Sequence, residues 1–290
     1  MTGRIVVGID GSQESAGALE WAVARARLGG EQLELLNAYN LTADLNFFGY
    51  HGGASQPVDW YIEFSEQVLK AAAERVRELA PDLTCTVTSS MGHPAHLLAE
   101  ASEDATAVVV GRRGLGAVAS ALLGSVSNRL TIQAKCPVVV VGEDEFPATG
   151  PIVVGVDGSE FGTNALRFAL AEAAVRKTSV RAVAAYHVMH HAFRADPELI
   201  ARMRAGVEAE AAGTITRALD EVEAADVTVD QVVVEGRAAE AILGHADDAQ
   251  LIVVGTHGKG LVRRVLLGSV SRQILNDADR PVAVVDLPES

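Results

Sequence analysis

Short apolar runs alternate with amphipathic stretches along this chain. In the first half, residues 5–9, 32–38, 84–89, 107–110 and 138–141 read as strands. Residues 15–28 carry Ala18, Leu19, Ala22 and Ala26 at helical spacing, which predicts a helix with one buried side. Residues 62–79 predict a long helix stopped by Pro81, and residues 94–103 and 125–134 predict two shorter ones. In the second half the pattern predicts strands over 152–156, 180–185, 228–234, 251–254 and 282–285. Helices are expected over 162–176, 197–223, 238–246 and 269–277. The runs at 5–9 and 107–110 are almost wholly apolar, as central strands covered on both faces should be. Strands alternating with helices imply a parallel sheet built by right-handed crossovers, the α/β class.

The two halves repeat each other. Val6-Val-Gly-Ile-Asp-Gly-Ser12 recurs as Val153-Val-Gly-Val-Asp-Gly-Ser159, and Ala38-Tyr39 recurs as Ala185-Tyr186. Leu122-Leu-Gly-Ser-Val-Ser127 returns letter for letter at residues 266–271, and Cys136-Pro-Val matches Arg280-Pro-Val. So long a period marks a duplicated domain rather than a solenoid unit. Residues 143–150 are short, acidic and punctuated by Pro and Gly, which sets the expected domains at 1–145 and 150–290. The halves differ mainly after their second strands. The first carries a Gly- and aromatic-bearing insert over residues 40–60, placed where it could fold over a site.

Composition narrows the function. The 290 residues carry 49% hydrophobic and 4% aromatic side chains, enough for full cores. A net charge of −14 argues against nucleic acid and against anionic membrane surfaces, since both are held by clustered Lys and Arg. Cys85 and Cys136 stand singly and form no CxxC. The N-terminus enters a strand pattern directly, without the basic start and apolar core of a signal peptide, and no run approaches a membrane span. A cytoplasmic protein is expected.

Candidate chemistry sits at the carboxyl ends of the strands. Gly111-Arg-Arg-Gly114-Leu-Gly116 and Gly124-Ser125-Val126-Ser127 form the pattern G-x2-G-x9-G-S directly after Val110. The same pattern runs from Gly255-Thr256-His257-Gly258-Lys259-Gly260 to Gly268-Ser269-Val270-Ser271, after Val254. A glycine turn between a strand and a helix start lets backbone approach an anion, and helix N–H groups then donate to it. The hydroxyls of Ser125, Ser127, Ser269 and Ser271 either join them or serve as ordinary caps. Asp10 and Asp157, ending the first strands after Gly8 and Gly155, accept from ribose hydroxyls or instead shape the next helix start. The charges differ between copies: Arg112 and Arg113 fill the first gap of one, while the other has Lys259, Arg263 and Arg264 in the second gap. The C-terminal copy is therefore expected to tolerate a triphosphate better. His187, His190 and His191 lack the carboxylate or cysteine that would complete a metal site. The chain has no G-x4-G-K-[ST] loop, G-x-S-x-G elbow or HExxH.

These motifs together resemble the universal stress protein family, over nearly the whole chain and as two tandem domains. The resemblance implies two doubly wound five-stranded parallel sheets in order 3-2-1-4-5, arranged as a pseudo-dimer through strands 138–141 and 282–285. It implies ATP binding, with Mg2+ as a possible companion. Asp10 and Asp157 would lie by the adenosine, and the main chain at Ala38 and Ala185 would meet adenine. Gly111, Gly114, Gly124 and Ser125, with Gly255, Gly258, Gly268 and Ser269, would hold ribose and phosphates. Flanking positions Gly8, Val110, Arg112, Gly116, Val126, Ser127, Gly155, Val254, Thr256, Lys259, Gly260, Val270 and Ser271 complete the candidate sites. The expected role is nucleotide-dependent regulation in stress or dormancy, with a homodimer of tandem chains and a regulatory protein partner. A slow ATPase or nucleotidyl-transfer enzyme is the alternative.

Overall fold

The computed structural model describes residues 3–39, 58–115, 123–143, 147–188, 197–222, 226–258 and 266–286. Residues 40–57 of the expected insert lie outside them, as do Gly116, Lys259, Gly260, Arg263, Arg264, His190 and His191. The chain divides into two compact units, Met1–Asp144 and Glu145–Leu287.

In the first unit, β1 (Arg4–Gly8) leads into α1 (Gln13–Gly29) and β2 (Gln32–Tyr39). Next come α2 (Val58–Leu79), β3 (Cys85–Met91), α3 (Pro94–Ala101), β4 (Ala107–Gly111), α4 (Ser125–Gln133) and β5 (Val138–Val141). The strands lie parallel in order β3-β2-β1-β4-β5. Val6, Val108 and Val109 are wholly buried, as their unbroken apolar runs require. Ser12 starts α1: its hydroxyl accepts from the Ser15 amide at 3.1 Å. The buried side of α1 includes Ala18, Leu19, Ala22 and Ala26, the side the spacing predicts.

The expected helix over 94–103 instead ends at Ala101 and tightens into a 3-10 turn, Ser102–Asp104. The Ser102 hydroxyl accounts for the change. It is fully buried, donates to the Ala99 carbonyl at 2.5 Å and accepts from the Lys135 amide at 2.8 Å. α2 starts earlier than expected, at Val58, so residues 58–60 belong to a helix.

The second unit repeats this plan. β6 (Ile152–Gly155), α5 (Glu160–Arg176), β7 (Val180–Tyr186), α6 (Pro197–Asp220) and β8 (Val229–Glu235) come first. α7 (Ala238–Leu243), β9 (Leu251–Gly255), α8 (Ser269–Asp277) and β10 (Val282–Val285) follow. Its strands are parallel in order β8-β7-β6-β9-β10. In each unit the chain winds outward in both directions from a central pair, β1 and β4 or β6 and β9. A crevice therefore opens beyond their carboxyl ends, the place where doubly wound sheets hold ligands.

Candidate functional site

In the second unit that crevice is a cavity of about 290 Å³. Asp157, Ala185, Gly255 and Gly258 line it, together with all four residues Gly268–Ser271. Gly155 and Val254 are also on its wall. Residues drawn from five separate stretches of sequence thus meet around one volume. The wall also includes Val183, Ala238 and Ile242, which the sequence motifs do not single out. The repeat offers a signal for Ala238 alone, which falls in Gly236-Arg-Ala-Ala239, the counterpart of Gly92-His-Pro-Ala95.

Asp157 holds its place through the turn after β6. Its Oδ1 accepts from the Ser159 amide at 3.0 Å and the Ser159 hydroxyl at 2.6 Å. Ser159 in turn caps α5 by accepting from the Gly162 amide at 3.1 Å. The serine, not the aspartate, is the cap. The other aspartate oxygen lies against Gly258, where an added Cβ would come within 2.6 Å of it. Glycine is required there by a close approach between loop backbone and carboxylate.

The loop is stitched at its base. The Gly268 amide donates to the Thr256 carbonyl at 2.8 Å, and the buried Ser271 hydroxyl donates to the Gly255 carbonyl at 2.6 Å. The Ser271 hydroxyl is thus bonded to the backbone of β9 while the residue stays on the cavity wall. α8 begins at Gly268 without a side-chain cap, which leaves first-turn amides facing the cavity wall for an incoming acceptor. Thr256 is buried and donates to Asp286 at 3.0 Å, so it braces the loop from the side of β10. The His257 ring is buried beside Phe161, with centroids 5.2 Å apart.

The first unit repeats the stitching with different chemistry in the gap. Asp10 accepts from the Ser12 amide at 2.9 Å and, through its other oxygen, from the Leu115 amide at 3.0 Å. Gly124 donates to the Arg112 carbonyl at 2.8 Å, and Ser127 donates to the Gly111 and Arg112 carbonyls at 2.9 Å each. The Ser127 hydroxyl is thus committed in the same way. α4 likewise starts without a side-chain cap, with Ser125 exposed at its first position.

Arg113 does not serve as a free phosphate cation. Its backbone N–H and its Nε both donate to Glu14 in the first turn of α1, and Nη2 lies 3.3 Å from Glu143. Glu14, by hydrogen bond and charge, holds the Arg113 guanidinium above its ordinary range. The Arg112 guanidinium packs against Gly142 past the end of β5. Phe161 and His257 stand where Glu14 and Arg113 do. The exchange replaces an ion pair with a ring contact beneath the same loop. Glu14→Ala is expected to destabilise the first unit by about 1–3 kcal/mol, because a buried acceptor of two bonds is lost. Half-exposed Arg113 can turn to water, which keeps the loss below that of a fully buried pair. A urea midpoint equal to that of the parent chain would contradict this role.

Cys136 is a packing residue: burial pushes its thiol up to about 12, so no thiolate forms near neutral pH. No helix among the described residues is long and apolar enough to cross a membrane.

A doubly wound α/β unit with a glycine loop stitched across its switch point, present twice, defines a tandem protein of the doubly wound α/β class. A family model described as the universal stress protein family matches residues 1–142 and again 149–286. A universal stress protein of Mycobacterium tuberculosis strain H37Rv is 33% identical over 289 residues, covering 97% of this chain and 96% of its own. One from Mycolicibacterium smegmatis is 32% identical over 301 residues, covering 97% and 96%. The crystal structure of a universal stress protein from Archaeoglobus fulgidus DSM 4304 shares the fold, with a TM-score of 0.69, 23% identity and 98% of each chain covered. The chain belongs to the universal stress protein family.

Proposed function

We propose that this protein binds adenine nucleotide, ATP foremost, at one site in each unit, and uses occupancy to regulate a partner protein in the cytoplasm. The observation that carries the proposal is the cavity of the second unit. There an immobilised carboxylate and an uncapped helix start line one 290 Å³ volume. Asp157 suits ribose hydroxyls, and the α8 amides suit phosphate oxygens. Ala185, at the end of β7, lies on the wall where a flat base can meet main chain. Gly8, Asp10, Ala38, Val110, Gly111, Gly114 and Gly124–Val126 are the matching candidates in the first unit.

Any Mg2+ would arrive on the triphosphate, since this ion is usually held by substrate phosphates and water with few protein ligands. Binding would act by population shift, one arrangement of the partner-facing surface holding ATP better than another. A homodimer of tandem chains belongs to the same proposal.

Denaturing the purified protein and chromatographing what it releases tests the reading. About two equivalents of adenine nucleotide per chain are expected, one for each uncapped helix start. Failure to retain any, even after incubation with ATP, would defeat the proposal. Steady release of ADP from added ATP would instead favour slow hydrolysis.

A further inference from the structure

The outer edge of the first unit's sheet differs from that of the second. Among the described residues β3 pairs with β2 alone, and β8 pairs with β7 alone. An edge strand presents unpaired N–H and C=O groups, and proteins usually guard it with charge. β8 follows that rule. It carries Asp230, 3.7 Å from Arg181, and Glu235, 3.0 Å from Arg204. β3 reads Cys-Thr-Val-Thr-Ser-Ser-Met and has no charge over its whole length, in a chain whose net charge is −14. It also exposes Val87 at 53% and Met91 at 63%.

The ladder shows which groups face outward. The Leu33 amide donates to the Thr84 carbonyl, and the Gly92 amide donates to the Tyr39 carbonyl. Even-numbered residues of β3 therefore turn their peptide groups toward β2, and Cys85, Val87, Ser89 and Met91 turn theirs outward. The Ser89 hydroxyl lies 2.7 Å from that of Ser65 on α2, which places Val87 and Met91 on the α2 face by strand alternation. Thr88 points to the opposite face, where its hydroxyl donates to Glu34 at 2.8 Å.

We propose that β3 is a docking edge for a second copy of this chain, paired antiparallel about a two-fold axis through Thr88. That register matches the outward groups: Val87 faces Ser89 of the second copy, and Cys85 faces Met91, each as a hydrogen-bonded pair. Val87 of the two copies then become diagonal neighbours and cover one another. An isologous pair needs a surface complementary to itself. On a strongly acidic molecule, an uncharged edge is where two copies meet without facing like charges. The inference rests on the homodimer proposed above and not on its nucleotide sites.

The test uses the full chain. Light scattering over a concentration series should give a mass rising toward twice 30.4 kDa. Val87→Lys should lower it to one chain, because the two lysines would lie as like-charged diagonal neighbours across the seam. Val87 is exposed enough for that change to leave the fold intact, and circular dichroism checks it. Thr88→Cys, in a Cys85→Ser background, should form an 88–88 disulfide between copies on mild oxidation, identified by peptide mass mapping. In a non-hydrogen-bonded pair the two Cα atoms sit close enough for the bridge. A parent chain that stays monomeric throughout overturns the proposal. So does a dimer that survives Val87→Lys, or one that never yields the 88–88 bridge.

Discussion

Gly258→Glu is expected to abolish nucleotide binding by the second unit, weakening it by roughly a hundredfold or more, since each 1.4 kcal/mol is tenfold. Two costs combine. The new Cβ would sit 2.6 Å from Asp157 Oδ2, so the carboxylate must leave its place. It cannot leave cheaply, because Oδ1 is pinned by the amide and hydroxyl of Ser159 at 3.0 and 2.6 Å. The added carboxylate would then stand in the loop beside the proposed phosphates and repel them at short range. Gly114→Glu is the matching change in the first unit, where an added Cβ would overlap Asp10 Oδ2. Calorimetric titration of nucleotide-stripped protein with ATP separates the sites. Each single variant should keep one binding event, and the double variant none. The event that survives in Gly114→Glu should be the stronger for triphosphate, because Arg113 in the first unit is already spent on Glu14 and Glu143. Undiminished titration of the double variant would show that the glycine loops do not hold the ligand.

Gly150→Ala is expected to cost the second unit about 1–3 kcal/mol, the cost of a strained dihedral, with the backbone clash placing it at the upper end. Gly150 has φ +124°, and an added Cβ would overlap the carbonyl oxygen of Asp248. That oxygen is backbone, so no rotamer change relieves the overlap. The Gly150 carbonyl also accepts from the Thr178 hydroxyl at 2.7 Å and the Gln250 amide at 2.6 Å. Gln250 is buried and takes Arg176 at 3.1 Å on its own carbonyl. One residue thus ties the entry of β6 to the turn before β7 and the start of β9. Urea unfolding followed by a probe in the second unit should show the midpoint fall. An unchanged midpoint would mean that the turn has slack the structure does not display.

Much of this architecture was legible because it is written twice. The strand ends, the glycine spacing and the aspartates repeat at matching offsets, and a repeat that survives duplication reports what both copies need. Strand bounds shifted by a residue or so where glycines such as Gly111 continue the ladder opposite Val141. The part that was not legible lies where the copies differ. Nothing in Gln13-Glu14-Ser15 marks Glu14 as the acceptor for a loop residue 99 positions away. First-turn acids are common on helices, and only the close packing of α1 under Gly111 turns this one inward. The backbone bonds of Ser127 and Ser271 were not legible for another reason. A serine at a helix start near glycines suggests an anion ligand, but the third position of the helix points the hydroxyl back at the strand.

That back-bonding serine makes each glycine loop a cassette. Its two ends are joined to one another by Gly124–Arg112 and Ser127–Gly111, or by Gly268–Thr256 and Ser271–Gly255. The intervening sequence can then drift without unravelling the sheet. It has drifted: apolar Gly116-Ala-Val-Ala-Ser-Ala-Leu122 in one copy answers cationic Gly260-Leu-Val-Arg-Arg-Val-Leu266 in the other. A duplicated gene whose loops are closed at their base by the same two bonds can hold one copy to an ancestral task while the other explores a new one.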